Sequence, residues 1–315
     1  MGSQDQDTLA AALATANQRV GSIVDAKYRI VSVIGVGGMG VVYEAKHLFL
    51  DRIVALKVLH PRYEDAHDAA KRFLREAQTL GRIGHRAIVQ VLDGGFLDGT
   101  TPYLVMERLV GENLAERLRR RRALRIEPAV NVLREMLKAL GAAHAKGIVH
   151  CDLKPENVFL IDKAIGPGTI KLLDFGIARM VVVGETPRDL DSTLRAYGTA
   201  EYMSPEQITG GTIDPRTDLY GVGAVLYEAL TGAAAFAPKK GVRSTVFMRI
   251  LREVPPHVVG LREPVPKPLV ELVDSLLSKS PGARPDSALD ALRIVDDMNI
   301  VQPNSMPSIR VAAKR

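Results

Sequence analysis

The sequence predicts an α+β fold in two lobes: a small antiparallel β-sheet lobe with one main helix, then a larger, mainly helical lobe. Segments rich in β-branched and aromatic residues are confined to residues 28–109, with a single helical pattern among them. Beyond Gly111 the apolar spacing turns helical. A chain of 315 residues with 46% hydrophobic content can also bury the core that two lobes need. The divisions that follow are an N-terminal extension over 1–27, a small lobe over 28–109, a large lobe over 110–298 and a flexible tail over 299–315.

Residues 8–18 favour helix, with Leu9, Ala12, Leu13 and Ala16 on one stripe, and read as a short helix lying on the domain. Tyr28 to Ile34 reads as the first strand. It ends in Gly35-Val36-Gly37-Gly38-Met39-Gly40-Val41-Val42, where glycines let a hairpin fold tightly and bring main-chain N–H groups close to phosphates. The chain continues from there as a strand and not as the helix that a dinucleotide-binding turn opens. Ile53 to Leu59 is a near-continuous apolar run carrying one Lys, Lys57, whose burial demands an anionic partner. Asp68 to Gly81 sets Phe73, Ala77 and Leu80 at helical spacing before a terminal glycine. Ile88 to Phe96 and Tyr103 to Arg108 read as two more strands, joined by a turn at Asp98-Gly99.

The large lobe opens with a helix over Asn113 to Arg122, whose run of four arginines is read as a solvated end. Pro128 to Ala145 has Val130, Leu133, Leu137, Leu140 and His144 at helical spacing, so it is a core helix and His144 a packed residue. A second buried helix begins near Asp218 and stops at Thr231-Gly232. Residues 238–268 are Pro-rich and are expected to form loops around one helix near Ser244 to Arg252, and helices over 267–279 and 286–297 close the lobe.

Composition narrows the function classes. The net charge of +6 is spread along the chain and supports neither nucleic-acid nor membrane binding. A single cysteine, Cys151, excludes an internal disulfide framework and fits a reducing compartment. There is no run of about 18 apolar residues, and the N-terminus lacks the basic region of a signal peptide. A cytoplasmic location is therefore expected.

The chemistry concentrates in His150 to Gly176, HCDLKPENVFLIDKAIGPGTIKLLDFG. One carboxylate, Asp152, is followed by Lys154 and Asn157, and a second, Asp174, sits in Asp-Phe-Gly. Metal-dependent phosphoryl transfer needs this inventory: an acid that orients a hydroxyl and accepts its proton, a Lys against the moving phosphoryl group, and hard oxygen ligands for magnesium.

With the glycine loop and Lys57 upstream, these motifs resemble the Hanks-type (eukaryotic-like) bacterial Ser/Thr protein kinases, over roughly residues 28–298. The resemblance implies ATP with magnesium, or manganese in its place, and protein substrates phosphorylated on Ser or Thr, the chain itself included. It implies that Ile34, Gly35, Gly37, Gly38, Gly40, Val42 and Ala55 cover the nucleotide, with Phe159 on the opposite side. Met106 then lies at the back of the pocket, and Glu107 to Leu109 form a hinge facing adenine. Lys57 holds the α- and β-phosphates and pairs with Glu76. Asp152 is the catalytic base, Lys154 contacts the transferred group, and Asn157 and Asp174 hold the metal. Thr199 bonds Asp152 and Lys154. Asp218 anchors the catalytic-loop backbone, Arg284 pairs with Glu206, and His150 packs against Phe175. Ser192 and Thr193 are the autophosphorylation candidates. The rival reading is a pseudokinase that binds nucleotide or partners without turnover.

One departure matters. Members of the family usually have His-Arg-Asp, where the Arg pairs with a phosphate on the activation loop; here Cys151 replaces it. A thiol cannot form that bidentate charged pair, so loop phosphorylation is expected to be less necessary, or to act through Arg179 or Arg195. Cys151 itself is read as buried and inert.

Overall fold

The computed structural model describes residues 11–37, 40–59, 81, 83–161, 169–174, 200–237, 244–298 and 300. Glu76, Gly38, Phe175, Arg179, Ser192, Thr193, Arg195 and Thr199 lie outside these residues, and so does most of the helix expected over 68–81.

The small lobe is a six-stranded sheet in the order β1-β2-β3-β4-β6-β5, in which every neighbouring pair is antiparallel. Its strands are β1 (Ile23–Val24), β2 (Tyr28–Gly37), β3 (Gly40–His47), β4 (Arg52–Leu59), β5 (Val91–Leu97) and β6 (Thr101–Glu107). The strand expected to begin at Ile88 starts instead at Val91; Ile88 makes only an isolated bridge to Leu172. The turn between β5 and β6 forms at Asp98 and Gly99, both with positive φ.

The alternation of β4 decides what the sheet does. Val54, Leu56 and Val58 face a core with Tyr28, Ile30, Tyr43, Tyr103 and Val105. Ala55 falls on the other face, in a cluster with Val89 and Met106, against which Val42, Val91, Leu109 and Leu173 pack. Lys57 shares that second face by the two-residue period of a strand. The N-terminal segment belongs to the lobe as well. Residues 11–17 are helical and Ala16 is buried in the small-lobe core. β1, which falls within the region expected to be an extension, pairs with Tyr28 and Arg29 through a turn at Asp25 and Ala26.

The large lobe contains α1 (Leu114–Arg121), α2 (Ile126–His144), α3 (Pro205–Thr209), α4 (Pro215–Thr231), α5 (Ser244–Arg252), α6 (Lys267–Leu276) and α7 (Ala288–Asp297). A second sheet of β7 (Glu112–Asn113), β8 (Val158–Leu160) and β9 (Ile170–Leu172) lies beside the cleft. α1 opens with a capping box between Asn113 and Glu116. α2 is apolar over most of its length and starts two residues before the expected Pro128. α4 is almost wholly buried and ends at Gly232, whose left-handed φ of 78° stops it. Inside α4, Gly221 and Gly223 are where other segments come close: a Cβ there would stand 2.9 Å from Leu153 Cβ and 2.7 Å from Leu276 Cβ, respectively. The first approach seats the stretch around Leu153 on α4.

Candidate active site

The strand ladder places the nucleotide-binding candidates together. Val42 pairs with Lys57, Lys57 with Leu104, and Ala55 with Met106. Gly37 and Gly40 close the β2–β3 hairpin, and Gly40 has φ +155° with Val58 O only 2.1 Å from where a Cβ would stand. Gly35 lies opposite Val42 in the same hairpin, and Ile34 is largely exposed at its edge. Leu109 packs into the Ala55–Met106 cluster, whereas Phe159, on β8, lies against Gly111 and outside that cluster. Val89, Val91 and Leu173 also line it. Sequence reasoning missed these three, because an apolar residue in an apolar run carries no signal of which cavity it will face.

The segment expected to form the hinge is tied to both lobes. Glu107 donates its N–H to Gln90 O at 3.0 Å and accepts Gln90 N–H on Oε1 at 2.8 Å. Lys171, on β9, donates to the same carboxylate, and Arg108 donates to Glu44 on β3 at 2.9 Å.

Across the cleft, Lys57 Nζ lies 2.6 Å from Asp174 Oδ1. Lys57 is 5% exposed, so this carboxylate supplies the anionic partner that its apolar strand requires. Burial pushes the Asp174 carboxyl up, but Lys57, with Lys154 and His150 behind it, outweighs burial and holds it below the usual carboxylate range. Asp174 is charged at neutral pH.

Asp152, Lys154 and Asn157 form a second group. Lys154 Nζ is 2.8 Å from Asp152 Oδ2, and Asn157 Nδ2 donates to Asp152 O at 2.7 Å and to Asp152 Oδ2 at 3.1 Å. A short 3-10 turn, Pro155–Asn157, folds Asn157 back towards Asp152. The amide thereby spends its donor end on the acid and offers its oxygen, Oδ1, to a cation. A magnesium ion suits this donor set. It binds hard oxygens and is held by one or two protein groups together with substrate phosphates, and the amide oxygen of Asn157 and the ionised Asp174 are two such groups.

The loop that carries Asp152 is held from below. Asp218, at the start of α4, accepts His150 N–H on Oδ2 and Cys151 N–H on Oδ1, each at 2.8 Å. His144 Nε2 is 2.8 Å from the same Oδ2, so the packed histidine of α2 backs the anchor. His150 is fully buried, and burial holds its pKa below the ordinary value. The neutral ring donates from Nε2 to Leu173 O at 3.0 Å and accepts Asp152 N–H on Nδ1 at 3.3 Å. One imidazole thus joins the two acidic segments. Cys151 is 7% exposed, packs with Val149 and Ile213, and has φ 62°. Arg284 and Glu206 form the buried pair expected of them, at 2.6 and 2.9 Å.

The sequence profile of the protein kinase domain matches residues 28–294. The chain is 37% identical over 295 residues to the serine/threonine-protein kinase PknL of Mycobacterium tuberculosis, covering 93% of this chain and 70% of that protein. It is 37% identical over 274 residues to the serine/threonine-protein kinase pkn3 of Myxococcus xanthus, covering 86% of this chain and 50% of that one. It is 35% identical over 262 residues to a probable serine/threonine-protein kinase, PknB, of Lactococcus lactis, covering 83% of this chain and 40% of that one. The chain thus spans as little as two-fifths of a relative's length. With the glycine hairpin, the cleft lysine and both acidic segments in one place, the chain belongs to the protein kinase family, among the bacterial Hanks-type serine/threonine kinases.

Proposed function

We propose that this cleft transfers the γ-phosphate of ATP, in the presence of magnesium or manganese, to Ser and Thr hydroxyls of proteins, its own included. The observation that supports it best is the convergence of the ion pair Lys57–Asp174 with the Asp152–Lys154–Asn157 group through one neutral His150. Lys57 binds the α- and β-phosphates, with Glu76 as a second partner. Asp152 takes the acceptor hydroxyl's proton on its carboxylate and, above all, orients that hydroxyl, since phosphoryl transfer rests on placement and charge. Lys154 bonds the phosphoryl oxygens as they move, and Thr199 steadies Asp152 and Lys154. Asn157 Oδ1 and Asp174 would hold the metal, which when bound offsets negative charge on the phosphates.

Ser192 and Thr193 are the proposed sites of self-modification. With Cys151 in a small apolar cluster instead of the family's Arg, phosphate on that loop has one fewer cation to bind, so activity depends on it less.

The test is radiolabelled phosphate transfer from magnesium-ATP to the protein itself and to a basic protein substrate. Protein stripped of phosphate, Asp152→Asn and Lys57→Met are run alongside. Transfer by the wild type, from an unphosphorylated start without a lag, with losses on the order of 10²–10³ in kcat/KM in the variants, is the expected result. No transfer by wild-type protein that still binds ATP would refute turnover and leave a nucleotide-binding pseudokinase.

A further inference from the structure

Among the buried polar side chains that the mechanism leaves unused is Gln207, in the first turn of α3, about nine-tenths buried. Both ends of its amide are engaged. Oε1 accepts Ser204 N–H at 3.0 Å, and the Gln207 backbone N–H returns to Ser204 Oγ at 3.3 Å, a reciprocal capping box. Nε2 donates to the main-chain oxygen of Cys151 at 2.8 Å, with donor and acceptor both buried. The cap alone has no use for this last bond. It crosses 56 residues of sequence and ends one residue before Asp152.

Cys151 is therefore gripped at both its main-chain groups, its N–H by Asp218 from α4 and its C=O by Gln207 from α3. It is also a residue whose backbone resists the conformation it holds. A φ of 62° in a residue with a Cβ is unfavourable and persists only where surrounding contacts hold it. Rotation of the 151–152 peptide would break the bond from Gln207 to the Cys151 carbonyl and swing Asp152 away from Lys154 and Asn157.

We infer that Gln207 is a positioning residue for the transfer reaction: through the carbonyl of Cys151 it fixes the peptide that aims Asp152, and it does so from the first turn of α3. The linkage needs no phosphate, because every donor and acceptor in it is present in the unmodified chain. The inference rests on the reading of Asp152 as the group that orients the acceptor hydroxyl.

The experiment compares Gln207→Leu, Gln207→Glu, Asp152→Asn and wild type in steady-state transfer to a peptide substrate between pH 6 and 8, with nucleotide affinity measured by titration. In Gln207→Leu the carbonyl loses its donor, and kcat should fall about tenfold, equal to ~1.4 kcal/mol, with ATP affinity unchanged. Gln207→Glu supplies the sharper signature. Its carboxyl replaces the donor only when protonated, so kcat relative to wild type should be lowest at pH 8 and recover as pH falls. A residue that only caps α3 gives no such profile. Wild-type kcat in Gln207→Leu, a Gln207→Glu profile parallel to that of wild type, or loss of nucleotide binding in both variants would overturn the assignment. Full transfer by Asp152→Asn would instead overturn the reading of Asp152.

Discussion

Arg284→Met tests whether the large lobe depends on the buried charge pair that Arg284 makes with Glu206 of α3. The Arg284 side chain is 0% exposed and that of Glu206 8%. Nη1 and Nη2 meet the two carboxylate oxygens at 2.6 and 2.9 Å, Nη1 also donates to Arg216 O at 2.8 Å, and Nε donates to Ser278 O at 3.0 Å. Removing the guanidinium leaves a buried carboxylate without its counter-charge, a loss of about 3–5 kcal/mol, which corresponds to a fall in Tm of roughly 5–9 °C for a domain of this size. The pH dependence has a definite sign. In the wild type, burial pushes the Glu206 carboxyl up, but Arg284 outweighs it and holds the pKa below its ordinary value. Its contribution is therefore full above the unfolded value of about 4.3 and is lost as pH falls through the lower folded value. In the variant burial, the largest influence, is opposed only by hydrogen bonds from the Glu206 main chain and the Thr217 side chain, so Glu206 binds a proton more readily when folded than when unfolded, and the deficit should be smaller at pH 5 than at pH 7. Urea unfolding followed by circular dichroism at both pH values measures this. Arg284→Met/Glu206→Met should regain most of the loss, since neither charge is then stranded. A single variant within about 1 kcal/mol of wild type, or a deficit independent of pH, would refute the reasoning.

Two further perturbations separate stability from catalysis. Gly221→Ala places a Cβ 2.9 Å from Leu153 Cβ, next to Asp152, while Ala favours helix over Gly by about 1 kcal/mol. Stability should hold while kcat drops about tenfold, as thermal melts and transfer kinetics on the same sample would show; unchanged kcat would mean that the loop tolerates the shift. Lys279 Nζ is buried without a hydrogen-bond partner among the described residues, 4.2 Å from the Phe236 ring centroid, and burial lowers its pKa to about 8. The unfolded chain then binds more protons between pH 8 and 10.5, so stability rises with pH across that window. Lys279→Met should be more stable than wild type by ~1 kcal/mol at pH 7, with the gap closing towards pH 10.5; a destabilised variant would mean that the cation–π contact outweighs burial.

Short-range chemistry was the most readable part of this protein. Asp152, Lys154 and Asn157 fall within six residues, and a single turn brings them together, so their spacing already stated their geometry. The glycine hairpin was legible for the same reason, since glycine content is a local property, and so was β4 as an apolar strand carrying Lys57, although its unbroken apolar run did not say which residue takes which face. Asp218 and the Arg284–Glu206 pair were reached only through family resemblance, because nothing near them in sequence marks their partners. The bond from Gln207 to Cys151 O was missed. The pattern Ser204-x-x-Gln207 does announce a helix start, but a main-chain acceptor 56 positions away leaves no trace in side-chain chemistry. β1 escaped because two residues are too few to display alternation.

The cost of holding Cys151 in a left-handed conformation, about 1–2 kcal/mol, indicates what the surrounding groups are for. Asp218 and Gln207 take the main-chain N–H and C=O of that residue, and the thiol turns into the apolar contact with Val149 and Ile213. The chain leaves this point with Asp152 directed at Lys154 and Asn157. An ion pair to a phosphorylated loop would act on the same peptide from the side-chain direction. Here the main-chain grip and the apolar seat act on it without phosphate, and a charged side chain at 151 would have to leave the contact with Val149 and Ile213. The replacement of the usual Arg by Cys151 is thus consistent with a catalytic loop ordered by the fold, and the pH profile of Gln207→Glu reads that order directly.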